Sequence, residues 1–354
     1  MGASKSIGVA FALSSSLLLA APAGAQDFYR GKAVMMIIPS SAGGGYDMYA
    51  RLLARHMGQY LPGRADIVPQ NMPGAGGKTA VSYVASIAPK DGTVIAASYP
   101  QALTEQAFGR KDLVKYDTPS LTYIGSMNGE PYYCYVRGDA GVANLRELQS
   151  KELIVGATGQ GSSTATSPLL LNNLIGTKFK IVNGYKGSSE VILAALKNEV
   201  QGWCGMGWSS IQGAPAAEIE KGEIRILFQE NGGSDPRVKS AGRIELATDF
   251  AQSEDDRRIM NLIYSQQAFG RPFLAPPGIP EARTRELRAA FDAAMKDPGL
   301  VADAKRLKAE LTPISGVDLQ KMIVDLYATP PALLERARFA LEEAAPAAAS
   351  RSQN

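Results

Sequence analysis

The sequence is almost without histidine: His56 is the only one in 354 residues. A Ser-His-Asp arrangement would have to use that residue, and no G-x-S-x-G turn supplies a nucleophile for it. Cysteine is nearly as scarce. Cys134 and Cys204 form no C-x-x-C pair, so zinc and dithiol redox centres lack their ligands, and no metal or cofactor is expected. An excess of one charge is missing too, with 37 Lys and Arg against 34 Asp and Glu. That near-balance gives no reason to expect a nucleic-acid partner. Past the first 25 residues, no apolar run is long enough to span a membrane.

The N-terminus is the exception to this lack of long apolar runs. Lys5 precedes an apolar stretch at 7–21, and Ala23-Gly24-Ala25 follows it. That order predicts a signal peptide over 1–25, cleavage after Ala25 and export of the mature chain. Cysteine is absent from the cleavage point, which argues against a lipid anchor. In an oxidising compartment Cys134 and Cys204 could pair, and two buried free thiols fit equally well. The mature length exceeds what one hydrophobic core normally serves, so two lobes are expected.

What the chain has in quantity is glycine, 36 residues of it, much of it at the ends of predicted strands. The apolar run at 34–39 reads as a strand covered on both faces, followed by a glycine turn and a helix from about Asp47. Strand, turn and helix recur from Ile67 to Ile87, and again from Leu153 to Ile175. This alternation predicts an α/β fold with a largely parallel sheet. A polar stretch before Phe273 reads as irregular, and an amphipathic helix starts after Pro280. The tail at 346–354 has little to bury and reads as flexible.

Three glycine-rich turns, at 41–45, 73–77 and 158–163, should present backbone N–H groups at helix N-termini, where an anion is stabilised. They are not nucleotide loops. A P-loop ending at Gly77-Lys78-Thr79 needs glycine where Met72 stands, and Gly156, Gly159 and Gly161 have the wrong spacing for a dinucleotide turn. Lys78 therefore reads as a lysine on a helix surface. Asp47, in the first helical turn, should hold its loop open and point into it. Trp208, just past a strand, is a candidate to pack against the carbon frame of a ligand, with Tyr132 and Tyr133 as alternatives.

Taken in order, IIPSSAGGGYDMYARLLARHM, PQNMPGAGGKTAVSYVASIAPKDGTVIA, VGATGQGSS, GYKGSSE and FLAPPGIP resemble the periplasmic receptors of tripartite tricarboxylate transporters. The resemblance runs from about Phe28 to Ala340. It implies a type II periplasmic-binding-protein fold with two lobes around a ligand cleft. Lobe 1 would be 28–129 plus 268–345, and lobe 2 would be 130–267. It also implies ligand contacts at Ser41, Ala42, Gly43, Gly44 and Asp47, at Gly74, Ala75 and Gly76, and at Thr158, Gly161, Ser162 and Ser163. Tyr185, Lys186 and Gly187 match a further turn of the family. The implied activity is binding of a small organic carboxylate by a monomer, for delivery to membrane transporter subunits. Two other readings use the same cleft: an enzyme acting on a small acid, and a sensor that signals to a membrane partner.

Overall fold

The computed structural model describes residues 28–109, 111–211, 214–232 and 244–342. The predicted signal peptide and the predicted tail lie outside them. The chain runs β1 (Ala33–Ile38), α1 (Gly45–Met57), β2 (Asp66–Asn71), α2 (Lys78–Ser86), β3 (Val94–Ala97), α3 (Pro100–Phe108) and β4 (Thr122–Ser126). It then crosses to β5 (Tyr132–Arg137), β6 (Glu152–Ala157), α4 (Ser163–Ile175), β7 (Lys178–Asn183), α5 (Ser188–Leu196), β8 (Gly202–Gly207), α6 (Ala214–Glu220), β9 (Ile224–Gln229) and α7 (Glu254–Tyr264). A second crossing leads to β10 (Pro272–Ala275), α8 (Glu281–Ala294), α9 (Pro298–Arg306), β11 (Ile314–Ser315), α10 (Gly316–Tyr327) and α11 (Pro331–Phe339).

Two sheets result, ordered β11-β4-β10-β3-β1-β2 and β7-β6-β8-β5-β9. The first takes strands from both ends of the chain. The architecture is the α/β, type II binding-protein arrangement of two lobes. The expectation of a largely parallel sheet needs correcting. Only β1 with β2 and β3, and β6 with β7 and β8, run parallel; the remaining ladders are antiparallel. The physical reason is the double crossing: β5 and β10 each arrive from the other lobe and not by the strand–helix–strand crossover that sets a parallel neighbour.

Local sequence explains most of the elements. β1 and β3 are continuous apolar runs because helices cover both faces, and Ile37, Ile38, Ile95 and Ala96 are fully buried. α7 was not expected, since its stretch reads as polar. Its signal is a cap: Ser253 accepts a hydrogen bond from the Asp256 N–H, and Glu254, Asp255 and Asp256 fill the first turn. α3 was missed for the opposite reason. Nearly all its residues are buried, so it lacks a polar face to set a period. His56 lies where a helix-packing role predicts: its ring sits between Asp297, 3.6 Å away, and Asp303, 3.1 Å away, joining α1 to α9. Cys134 on β5 and Cys204 on β8 are joined by a disulfide. Among the described residues, no helix is long and apolar enough to cross a membrane.

The candidate ligand cleft

The two crossings are neighbours. Arg271 N–H donates to the Asn128 carbonyl at 3.0 Å, and Met127 N–H donates to the Arg271 carbonyl at 3.2 Å. At this seam an ion pair is buried. Arg271 Nη2 lies 2.6 Å from Glu130 Oε1, with side-chain exposures of 3% and 1%. Ser209 completes the cluster, its hydroxyl donating to Glu130 and accepting from Arg271. The guanidinium also stacks over the Tyr46 ring, 4.1 Å from its centre. Burial opposes the charge on Arg271, but Tyr46, Glu130 and Tyr132 outweigh it and hold the group protonated.

In front of this cluster is a small, partly open cavity of about 30 Å³, walled by Tyr46, Tyr99, Tyr132 and Arg271. Tyr46 and Tyr99 meet edge to face at 4.4 Å, and the Tyr46 and Tyr132 hydroxyls are 3.3 Å apart. Burial raises all three phenols above their ordinary range, so they are neutral donors at neutral pH. Four helices begin at this cavity: α1 at Tyr46, α3 at Gln101, α4 at Ser163 and Thr164, and α5 at Ser188. None of the four has a side-chain cap; elsewhere α7, α9 and α10 are capped by Ser253, Asp297 and Ser315, while α2, α8 and α11 are uncapped as well.

The structure brings the glycine turns together across the cleft. Ser41 N–H donates to the Lys186 carbonyl at 3.4 Å. A Cβ on Gly187 would stand 2.6 Å from the Ser41 hydroxyl, and one on Gly44 would stand 2.8 Å from that of Ser188. Gly76 faces Ser162 in the same way. Of the residues implied from sequence, Thr158, Ser162 and Ser163 line the small cavity. Gly161 lines a larger one beside it. Ala42, Gly43, Gly74, Ala75, Tyr185, Lys186 and Gly187 lie on the surrounding turns, outside the small cavity's wall. Trp208 is half-buried against the second-lobe core, also outside that wall.

Asp47 turns inward, accepting from the Gly43 N–H at 2.9 Å, Arg51 Nε at 2.9 Å and Asn71 Nδ2 at 2.8 Å. Burial pushes its carboxyl up, and these hydrogen bonds more than reverse that, leaving it below the usual range. The Gly43 N–H is therefore committed within its own loop. Lys78 is not on the surface, contrary to the sequence reading. It is 4% exposed, lies 3.4 Å from Glu105 and donates to the Gln160 carbonyl of the facing loop. Its charge is neutralised by a helix that the sequence pattern did not reveal. Arg271, Glu130, Tyr46, Tyr99 and Ser210 are likewise not marked out by the sequence pattern. Charge gives a signal for two of them, since Arg271 and Glu130 are opposite charges set in apolar surroundings next to glycine, and charges are rarely buried unless paired.

Behind the cleft, Gln267 joins the crossings: it accepts from the Tyr132 N–H and donates to Glu230 at 2.6 Å. Burial raises the Glu230 carboxyl to about 8, against opposing hydrogen bonds from Ser167, Gly205 and Gln267. In the unfolded chain a glutamate titrates near ~4.3. Between those values the folded state keeps a proton that the unfolded state has released, so stability falls as pH rises towards 8. Glu230→Gln should remove this fall. By scanning calorimetry its Tm should match the parent near pH 5 and exceed it by several degrees at pH 8.

A family model described as the tripartite tricarboxylate transporter family receptor matches residues 49–338. The chain belongs to this family. It is a solute-binding receptor, and similar proteins cover most of its length. A UPF0065 protein of Bordetella pertussis is 25% identical over 320 residues, covering 88% of this chain and 91% of the other. The periplasmic binding protein BugD superposes with a TM-score of 0.68 at 21% identity, over 86% of this receptor and 97% of BugD. MatC of Rhodopseudomonas palustris, solved with malate, gives 0.67 at 21% identity over 88% and 99%. A second R. palustris protein, solved with adipate, gives 0.65 at 21% identity over 86% and 97%.

Proposed function

We propose that the receptor captures a small organic carboxylate reversibly between its lobes, in the periplasm after loss of residues 1–25, and delivers it as a monomer to membrane transporter subunits. The carrying observation is the convergence of four helix N-termini on one small cavity. Each terminus turns the positive end of a helix dipole towards the cavity, and together they favour one negative group. Binding of malate and adipate by two structural neighbours supports the same ligand class. We place the lobes at 28–129 with 268–345, and at 130–267, with the crossings as hinge. Ligand contacts spread over Ser41–Gly44, Gly74–Gly76, Thr158–Ser163 and Tyr185–Gly187 would then form as the lobes close, because each turn faces one in the other lobe.

Catalysis in this cleft is the weaker reading, since the single histidine is engaged by Asp297 and Asp303 on another face. The test is calorimetry against a panel of mono-, di- and tricarboxylates, preceded by native mass spectrometry for any co-purified acid. At least one carboxylate should bind stoichiometrically and be recovered unchanged. Binding confined to nucleotides or phosphate esters would sink the proposal, and turnover of a bound acid would make the protein an enzyme.

A further inference from the structure

Beside the small cavity lies a second space of about 650 Å³ between α3 and α4. The two run in series along the same helices. On α4, Ser163 and Thr164 line the small cavity, and Ala165, Thr166 and Leu169 the large one. Gln101, at the start of α3, lines both. It is 3% exposed, and its Nε2 has no hydrogen-bond partner. A buried amide donor without an acceptor is costly, which points to an acceptor supplied by a ligand. Further out, Phe108, Leu169 and Ile181 give the space an apolar wall. Glu105 on that wall is paired with Lys78, and the lining also carries Lys111, Asp112, Arg338 and Glu342, charges of both signs.

We propose that the ligand is an extended, amphipathic monocarboxylate: its carboxylate lies in the small cavity, its carbon body in the space between α3 and α4, and an acceptor oxygen near the junction meets Gln101. This rests on the carboxylate reading above and narrows it. The small cavity admits little more than the anionic head, while the larger space is in the range that holds drug-sized ligands. Four-carbon to six-carbon diacids leave most of it unfilled, including the part beside Phe108, Leu169 and Ile181.

The test is calorimetry of the full mature chain with unbranched monocarboxylates from acetate to decanoate. Affinity should rise by up to about fourfold per added methylene over the middle of the series, the gain from burying each group. Leu169→Trp, which fills the outer space, should abolish that rise and leave acetate and propanoate within about twofold of the parent. Thr166→Trp serves the same purpose if the first variant does not fold. Gln101→Met should weaken 3-hydroxy acids about tenfold more than it weakens the unsubstituted acids. Short acids binding as well as long ones, or diacids binding better than either, would overturn the proposal while leaving carboxylate capture intact. Failure of every acid to bind would overturn both.

Discussion

Glu130→Ala should cost about 3–5 kcal/mol of unfolding free energy, read by urea denaturation of the mature chain. The size follows from what remains. Arg271 is buried at the crossing of the lobes, and the substitution leaves its guanidinium facing Ser209 and the Tyr46 ring without a counter-charge. Arginine cannot shed its proton to escape, so the full desolvation penalty falls on the folded state. Removing both charges is different. Glu130→Leu combined with Arg271→Met should recover most of the loss, because an apolar pair of similar volume has no ions to desolvate. A loss below about 1 kcal/mol in the single variant would mean that the pair is not buried in solution. A double variant no more stable than the single one would mean that the damage lies in packing, not charge.

The other large effect belongs to Gly270→Ala, and its cause is steric. Gly270 has φ +61° and ψ −111°, a conformation that L-residues avoid, and a Cβ placed there would lie 1.2 Å from the Asn128 carbonyl oxygen. The obstacle is backbone of the neighbouring crossing, which is itself fixed by the Arg271–Asn128 hydrogen bond. Neither segment can yield without separating the two connections between the lobes. The expected result is a fall in Tm on the order of 10 °C, or insoluble protein. Gly31→Ala is the control: that glycine also has positive φ, 69°, but nothing lies within 4 Å of its would-be Cβ. A similar loss in both variants would show that backbone conformation, not collision, sets the cost.

The two variants also mark where sequence reasoning loses sight of the molecule. Strand-turn-helix units are local, so β1 with α1, β2 with α2 and β6 with α4 were legible within a few residues from apolar runs and glycine turns. The turns themselves were legible because backbone that approaches a facing loop closely has to be glycine, as Gly44 and Gly187 show. The wall of the cavity was not. Arg271 meets a partner 141 positions away, and Tyr46 meets one 86 positions away. No spacing rule connects such residues. Tyr99 precedes and Gln101 begins a helix whose burial on nearly every side erases the period by which helices are recognised. Backbone roles were over-assigned for a related reason. A glycine loop announces N–H donors, but only the fold shows that Asp47 already uses the one at Gly43.

The adjacency of the two crossings has a mechanical meaning. Two connections far apart would each set their own pivot, and the halves could twist, slide and tilt independently. Here the connections touch, share backbone hydrogen bonds and are pinned by one salt-linked cluster of Glu130, Arg271 and Ser209. Any turning of the halves about this seam would also have to loosen α11, which reaches across to the other half through Arg336 on Asp255 and through the Ala340 and Glu342 carbonyls on Asn173.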